Sequence, residues 1–347
     1  RDLKNTKSAK NSSRPHDTYD VTIHTMQYII ILALLLIISI TATHQEINDT
    51  PVIGVFTRND EEFDLDVIAS SYVKWLESAG AQVIPIHSQI DDDEELEALF
   101  RNINGVLFPG GDDTLTSSVK KIWRMAKEAN ENGDHFPIWG TCLGFEFMLQ
   151  LESEIGEAIL ETDVYSTEDI SMHLEFTEYG LTESKMFAGQ LPYANVRSIA
   201  ATEPVTYNYH HDGITPDNFL ADRGLTDMFE ITSVNFDEQN DLPFVSSMEA
   251  RDIDLYPFYG VQWHPEKNPF EFCKTCKKKD INHSSDAIYV TEAMADVFIR
   301  EAKKSSHEYT DFQRFPLVWD YEVIRGLYFE QIFIIPAPVV VSEPLVK

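Results

Sequence analysis

Two short segments carry residues whose types and spacing allow chemistry. Cys142 lies in Gly140-Thr141-Cys142-Leu143-Gly144, after the apolar run Pro137-Ile138-Trp139 and before a helical pattern with Leu143, Phe147, Met148 and Leu151 on one face. Glycines at minus two and plus two permit a strained strand-to-helix turn that exposes the sulfur. A helix N-terminus beside it favours the thiolate, which is the nucleophile. His264 ends a second apolar segment, Tyr259-Gly260-Val261-Gln262-Trp263. An imidazole there can take the thiol proton and later protonate a leaving amine. Glu266 points the same way as His264 if the strand direction continues past Pro265, and its carboxylate can then hold the imidazole tautomer. Gly110 and Gly111 follow the apolar segment Val106-Leu107-Phe108-Pro109. Their N–H groups, with that of Leu143, can form an oxyanion hole. Singly, each residue has a plainer reading: a core cysteine, a backbone-bonded histidine, a solvated glutamate, an ordinary turn. Together they are the equipment of a cysteine hydrolase.

These residues need a scaffold that brings distant strand ends together. From residue 51 the pattern alternates. Residues 51–56, 82–86, 104–108 and 137–141 read as strands that are apolar throughout. Residues 63–79 (Leu65, Ile68, Ala69, Tyr72, Val73, Leu76), 94–103 and 116–130 read as helices, with Gly80 where a C-cap belongs. Fully apolar strands separated by helices predict a parallel sheet covered on both faces, with the site at the strands' carboxyl ends. Beyond residue 155, segments 160–176, 197–209 and 243–249 read as an antiparallel portion. Residues 286–304 read as an amphipathic helix, and 306–347 as a tail packed on the core.

The 347 residues hold 27 Lys and Arg against 58 Asp and Glu, a formal charge of −31. Such a surface repels phosphates, which argues against nucleic acid and anionic membrane as partners; its plainer role is solubility. Residues 1–45 stand apart. Met26 is the first methionine, and the unbroken apolar run 28–38 suits the core of a cleaved signal peptide, with 1–25 as an upstream extension. The expected boundaries are 1–45 for extension plus signal and 46–347 for the catalytic domain, including a tail at 306–347. The expected location is the secretory pathway: extracellular space, lysosome or vacuole. Asn48-Asp49-Thr50 and Asn282-His283-Ser284 are glycosylation sequons, which matter only there. Cys273 and Cys276 in Cys-x-x-Cys read as a local disulfide, with a redox pair as the alternative and zinc disfavoured because no second pair exists. No metal is assigned to the acidic loops.

The set Phe108-Pro109-Gly110-Gly111, Gly140-Thr141-Cys142-Leu143-Gly144-Phe145-Glu146 and Gly260-Val261-Gln262-Trp263-His264-Pro265-Glu266 resembles the class I glutamine-amidotransferase-like family, and within it the gamma-glutamyl hydrolases. The resemblance extends to residues 69–80, 103–108 and 203–210, and covers about 51 to 335. It implies a three-layer, flavodoxin-like α/β fold with a mostly parallel sheet and an antiparallel extension. It also implies hydrolysis of γ-glutamyl bonds through a thioester at Cys142, on folylpoly-γ-glutamates or related antifolates, with His264 as general acid/base and Glu266 orienting it. Glu146, His210 and Tyr72 are the expected substrate-binding residues. No cofactor is expected, and a homodimer is. The alternatives are a glutaminase of amidotransferase type and a non-catalytic secreted binding protein on the same fold.

Overall fold

The computed structural model describes residue 28 and residues 48–60, 65–90, 92–189, 192–272 and 280–336. The signal-peptide segment and the Cys273/Cys276 pair therefore lie outside the described residues, apart from Tyr28. The strands are β1 (Val52–Phe56), β2 (Arg58–Asp60), β3 (Leu65–Ala69), β4 (Gln82–Ile86), β5 (Gly105–Phe108), β6 (Ile138–Thr141), β7 (Ile170–Met172), β8 (Glu175–Phe176), β9 (Thr206–Asn208), β10 (Phe229–Phe236), β11 (Pro243–Ala250), β12 (Phe258–Val261), β13 (Glu322–Ile324) and β14 (Ile332–Ile335). The α-helices are α1 (Ser70–Ser78), α2 (Asp93–Phe100), α3 (Ser117–Glu131), α4 (Leu143–Glu152), the short α5 to α9 (Glu178–Thr182, Val196–Ala200, Pro216–Ala221, Arg223–Met228, Lys267–Phe270) and α10 (Ser285–Ala302).

Eight strands form the main sheet in the order β4-β1-β5-β6-β12-β11-β10-β8. The first five run parallel; β11, β10 and β8 continue antiparallel. Counted along the chain, the parallel part has the flavodoxin-like order 2-1-3-4-5. Alternation of side chains across the sheet fills two layers. Trp139 of β6 meets Trp75 of α1 and Phe298 of α10 at ring centroids 5.3 and 5.9 Å apart. On the opposite face Phe258 of β12 meets Trp123 of α3 at 4.9 Å. The expected three-layer fold is what the chain adopts.

Two local readings are corrected. The helical period across 63–79 holds only from Ser70, because Leu65–Ala69 pairs as β3 with β2 and β14. The C-terminal stretch is accordingly more than a packed tail: β13 and β14 join β3 and β2 in a four-stranded antiparallel sheet. Strand β10 has no counterpart in the sequence reading. Its Thr232, Ser233 and Asn235 look like loop residues, yet all three are buried and its neighbours β8 and β11 satisfy its backbone.

Candidate active site

β5, β6 and β12 are adjacent strands, so their carboxyl ends converge. β6 leads directly into Cys142, which takes φ 52° and ψ −110° before α4 begins. That conformation costs a non-glycine residue on the order of 1–3 kcal/mol. Packing enforces it: the Cys142 N–H donates to the Val261 carbonyl of β12 at 2.8 Å, and α4 starts against the end of β5. Gly110 locates the centre. A Cβ placed on it would stand 2.7 Å from His264 Cε1, 3.0 Å from the Tyr72 hydroxyl and 3.2 Å from Cys142 Cβ. The thiol, the imidazole and the glycine turn therefore share one small volume.

His264 is held from both sides. Its backbone N–H donates to the Tyr207 carbonyl at 2.8 Å, and its ring Nδ1 meets Glu266 Oε1 at 2.8 Å. A carboxylate accepts only, so Nδ1 carries the hydrogen and Nε2 is the basic nitrogen in the neutral ring. The expected route to this contact is corrected. The strand ends at Val261, and Glu266 has helical dihedrals at the start of α9; a turn brings its carboxylate back to His264. Burial pushes the Glu266 carboxyl up, but the charge of His264, the hydrogen bond to it and Lys267 outweigh this and hold it below the usual range.

The thiol also departs from expectation. Cys142 is 6% exposed, so the turn presents the sulfur to its neighbours rather than to solvent, with the Tyr209 carbonyl 3.9 Å away. Burial, followed by the charge of Glu146, pushes the thiol well up; Lys267 and the Leu143 N–H pull the other way without prevailing. At this depth the helix N-terminus does not outweigh desolvation. The resting group is a protonated thiol that needs a base beside it.

The other expected residues are placed as follows. The Gly110 N–H is engaged by the Tyr72 hydroxyl at 2.8 Å, so it is not an open donor. The amides of Gly111 and Leu143 remain, with the Leu143 N–H directed at the Cys142 sulfur. Glu146 is buried and accepts from Gln262 Nε2 at 2.8 Å; burial raises its carboxyl to about 7. His210 donates from Nδ1 to the Asp212 carbonyl at 2.8 Å, leaving Nε2 as a buried acceptor without a partner among the described residues. Burial holds its ring neutral, down to about 3.

Sequence reasoning missed Gln262 and Lys267. Gln262 shares the spacing of two with His264 and Glu266, and that signal was there to use. Lys267 directly follows Glu266 and is the one buried Lys or Arg among the described residues. Its ammonium lies 5.5, 5.8 and 5.7 Å from the ring centroids of Tyr207, Tyr209 and Phe329. A cation in such an aromatic cage beside a buried thiol is suited to an anion. Phe329 arrives from the C-terminal segment, which no sequence spacing links to the site. No cluster of His, Cys, Asp and Glu among the described residues could hold a metal ion, and none of their helices is long and apolar enough to cross a membrane.

Comparison with known proteins agrees with this geometry. The family described as glutamine amidotransferase class-I matches residues 65–281. Gamma-glutamyl hydrolase B of Dictyostelium discoideum is 34% identical over 304 residues, 83% of this chain and 84% of its own length. The gamma-glutamyl hydrolase of Homo sapiens is 36% identical over 283 residues, covering 78% and 84%. Gamma-glutamyl hydrolase 1 of Arabidopsis thaliana is 37% identical over 273 residues, covering 75% and 74%. With a buried cysteine after β6, a buried histidine and glutamate after β12, and these relatives along most of its length, the chain belongs to the class I glutamine amidotransferase family, among its gamma-glutamyl hydrolases.

Proposed function

We propose that this protein hydrolyses γ-glutamyl bonds of poly-γ-glutamates, folylpoly-γ-glutamates above all, with Cys142 as nucleophile. The observation that carries the reading is the convergence of Cys142 and His264 on Gly110, with Glu266 at 2.8 Å behind the imidazole. His264 Nε2 takes the thiol proton as the sulfur attacks the γ-carbonyl carbon. The developing oxyanion meets the amides of Gly111 and Leu143. As the C–N bond breaks, His264 returns the proton to the leaving nitrogen, and a thioester remains. Water then gives a proton to His264 and attacks the thioester carbonyl, releasing the γ-carboxylate and restoring the thiol. Glu266 keeps Nδ1 protonated throughout and stabilises the imidazolium.

Each residue of a γ-linked glutamate chain carries an α-carboxylate, and Lys267 supplies a charge for one beside the sulfur. Glu146 and Gln262 form a polar pair one turn from Cys142, suited to the substrate's amide groups. The apolar run 28–38 supports a secretory location, with 46–347 as the catalytic unit. The test is incubation of residues 46–347 with folate pentaglutamate beside the Cys142→Ala protein, with products read by mass spectrometry. Glutamate loss in the wild type alone is expected. Hydrolysis of glutamine but not of the pentaglutamate would replace this reading with a glutaminase; equal behaviour of both proteins would leave a binding protein.

A further inference from the structure

Tyr72 was expected to touch substrate, but its hydroxyl is turned to the protein. The side chain is 3% exposed, on the first turn of α1. Its oxygen accepts the Gly110 N–H at 2.8 Å and lies 3.5 Å from His264 Nδ1. The Glu266 carboxylate is also beside it: that charge, after burial, is the main influence holding the phenol far above its usual range, so the O–H keeps its hydrogen. A phenol has one hydrogen to give. With Gly110 donating to the oxygen, that hydrogen must point away from Gly110. The acceptor on that side is the Glu266 carboxylate, which acts on the phenol through its charge and a side-chain hydrogen bond.

The mount is stiff. The Ser70 N–H at the start of α1 donates to the Gln331 carbonyl at 2.9 Å, and Trp75 Nε1, one turn beyond Ser71, donates to the Thr291 carbonyl of α10 at 2.8 Å. Tyr72 thus stands on a helix fixed at two points, between the turn after β5 and the pair after β12.

We propose that Tyr72 is a positioning residue whose hydroxyl ties the Gly110 turn to the His264–Glu266 pair. It fixes the turn that presents the Gly111 amide and supports the carboxylate that orients the imidazole. This rests on Cys142 and His264 being the reacting pair, and does not depend on the identity of the substrate. The groups facing the hydroxyl are His264, Glu266 and Cys142, with Lys267 bearing on the last two.

The test uses Tyr72→Phe, which keeps the buried ring and removes only the hydroxyl. Two readouts are compared with wild type: the pH profile of Cys142 alkylation by iodoacetamide, followed by mass spectrometry, and kcat and KM on folate pentaglutamate. Loss of a hydrogen bond to a charged group corresponds to a fall in kcat of roughly 10- to 100-fold, with KM within about threefold. The alkylation profile should move by about half a pH unit or more, because the charge pair has lost a partner. An unchanged profile with unchanged kcat would overturn the proposal. So would a rise in KM alone, which would mark Tyr72 as a substrate contact, or a gain in kcat, which would mark it as a plug on Gly110. If wild type fails to cleave the pentaglutamate but the alkylation profile still moves, the substrate reading falls and the coupling stands.

Discussion

The backbone N–H of Cys142 donates to the carbonyl of Val261 at 2.8 Å, so the residue at the strained turn hangs from the strand that leads to His264. The distance between sulfur and imidazole is therefore set by main chain, and whatever moves the start of α4 moves the sulfur with it. Gly144 controls that start. A Cβ on it would stand 2.0 Å from the Phe108 carbonyl oxygen. Gly144→Ala should force α4 off the end of β5, at a cost of about 1–3 kcal/mol. Displacing the reacting group by about 1 Å should lower kcat about 100-fold. A thermal melt beside kcat checks both; full activity at unchanged stability would show that the turn tolerates the methyl group.

Glu266→Gln keeps the shape of the side chain but removes the charge opposite Nδ1. The imidazole then has no fixed tautomer, and its charged form loses its partner. We expect kcat to fall by about 100-fold or more with little change in KM. Steady-state kinetics on the pentaglutamate decide it.

Glu146 should shape the alkaline side of the pH profile. Its carboxyl titrates at about 7, so it is neutral below that pH and charged above it. The charged form raises the Cys142 thiol further and repels an anionic substrate. In wild type kcat/KM should fall as pH rises through about 7, and Glu146→Gln should lose that limb. Identical limbs between pH 5 and 9 would assign the ionisation to another group.

Lys267→Met keeps the apolar stem inside the aromatic cage and removes the ammonium. Loss of a charge-assisted contact should raise KM for the pentaglutamate roughly 10- to 100-fold. Stability should fall, because the buried carboxylates of Glu266 and Glu271 lose the cation that favours their charged form. A variant with normal KM would show that substrate carboxylates bind elsewhere.

The parallel strands and the three chemical residues were legible in the sequence because each signal is local. A fully apolar run, a glycine-flanked cysteine and a histidine at a strand end can each be seen within ten residues. What escaped depends on distant partners. β3 looked helical because its pairing strand, β14, lies more than 260 residues further on. The burial of Cys142, and with it the reversal of the expected preference for thiolate, depends on neighbours from distant segments such as Tyr209, whose carbonyl lies 3.9 Å from the sulfur. The engagement of Gly110 by Tyr72 is likewise a contact across 38 positions. The Glu266 contact was anticipated for the wrong local reason, since a turn and not an extended strand delivers it.

The pairing of β14 with β3 also bears on when this protein becomes reactive. A ribosome releases Phe329 and Gln331 after almost everything else, yet Phe329 closes the cage around Lys267 and Gln331 fixes the first turn beneath Tyr72. Contacts of such long sequence separation form late. A nascent chain that has not yet reached β14 can thus carry its cysteine, histidine and glutamate while still lacking the contacts that fix Tyr72 and close the cage around Lys267.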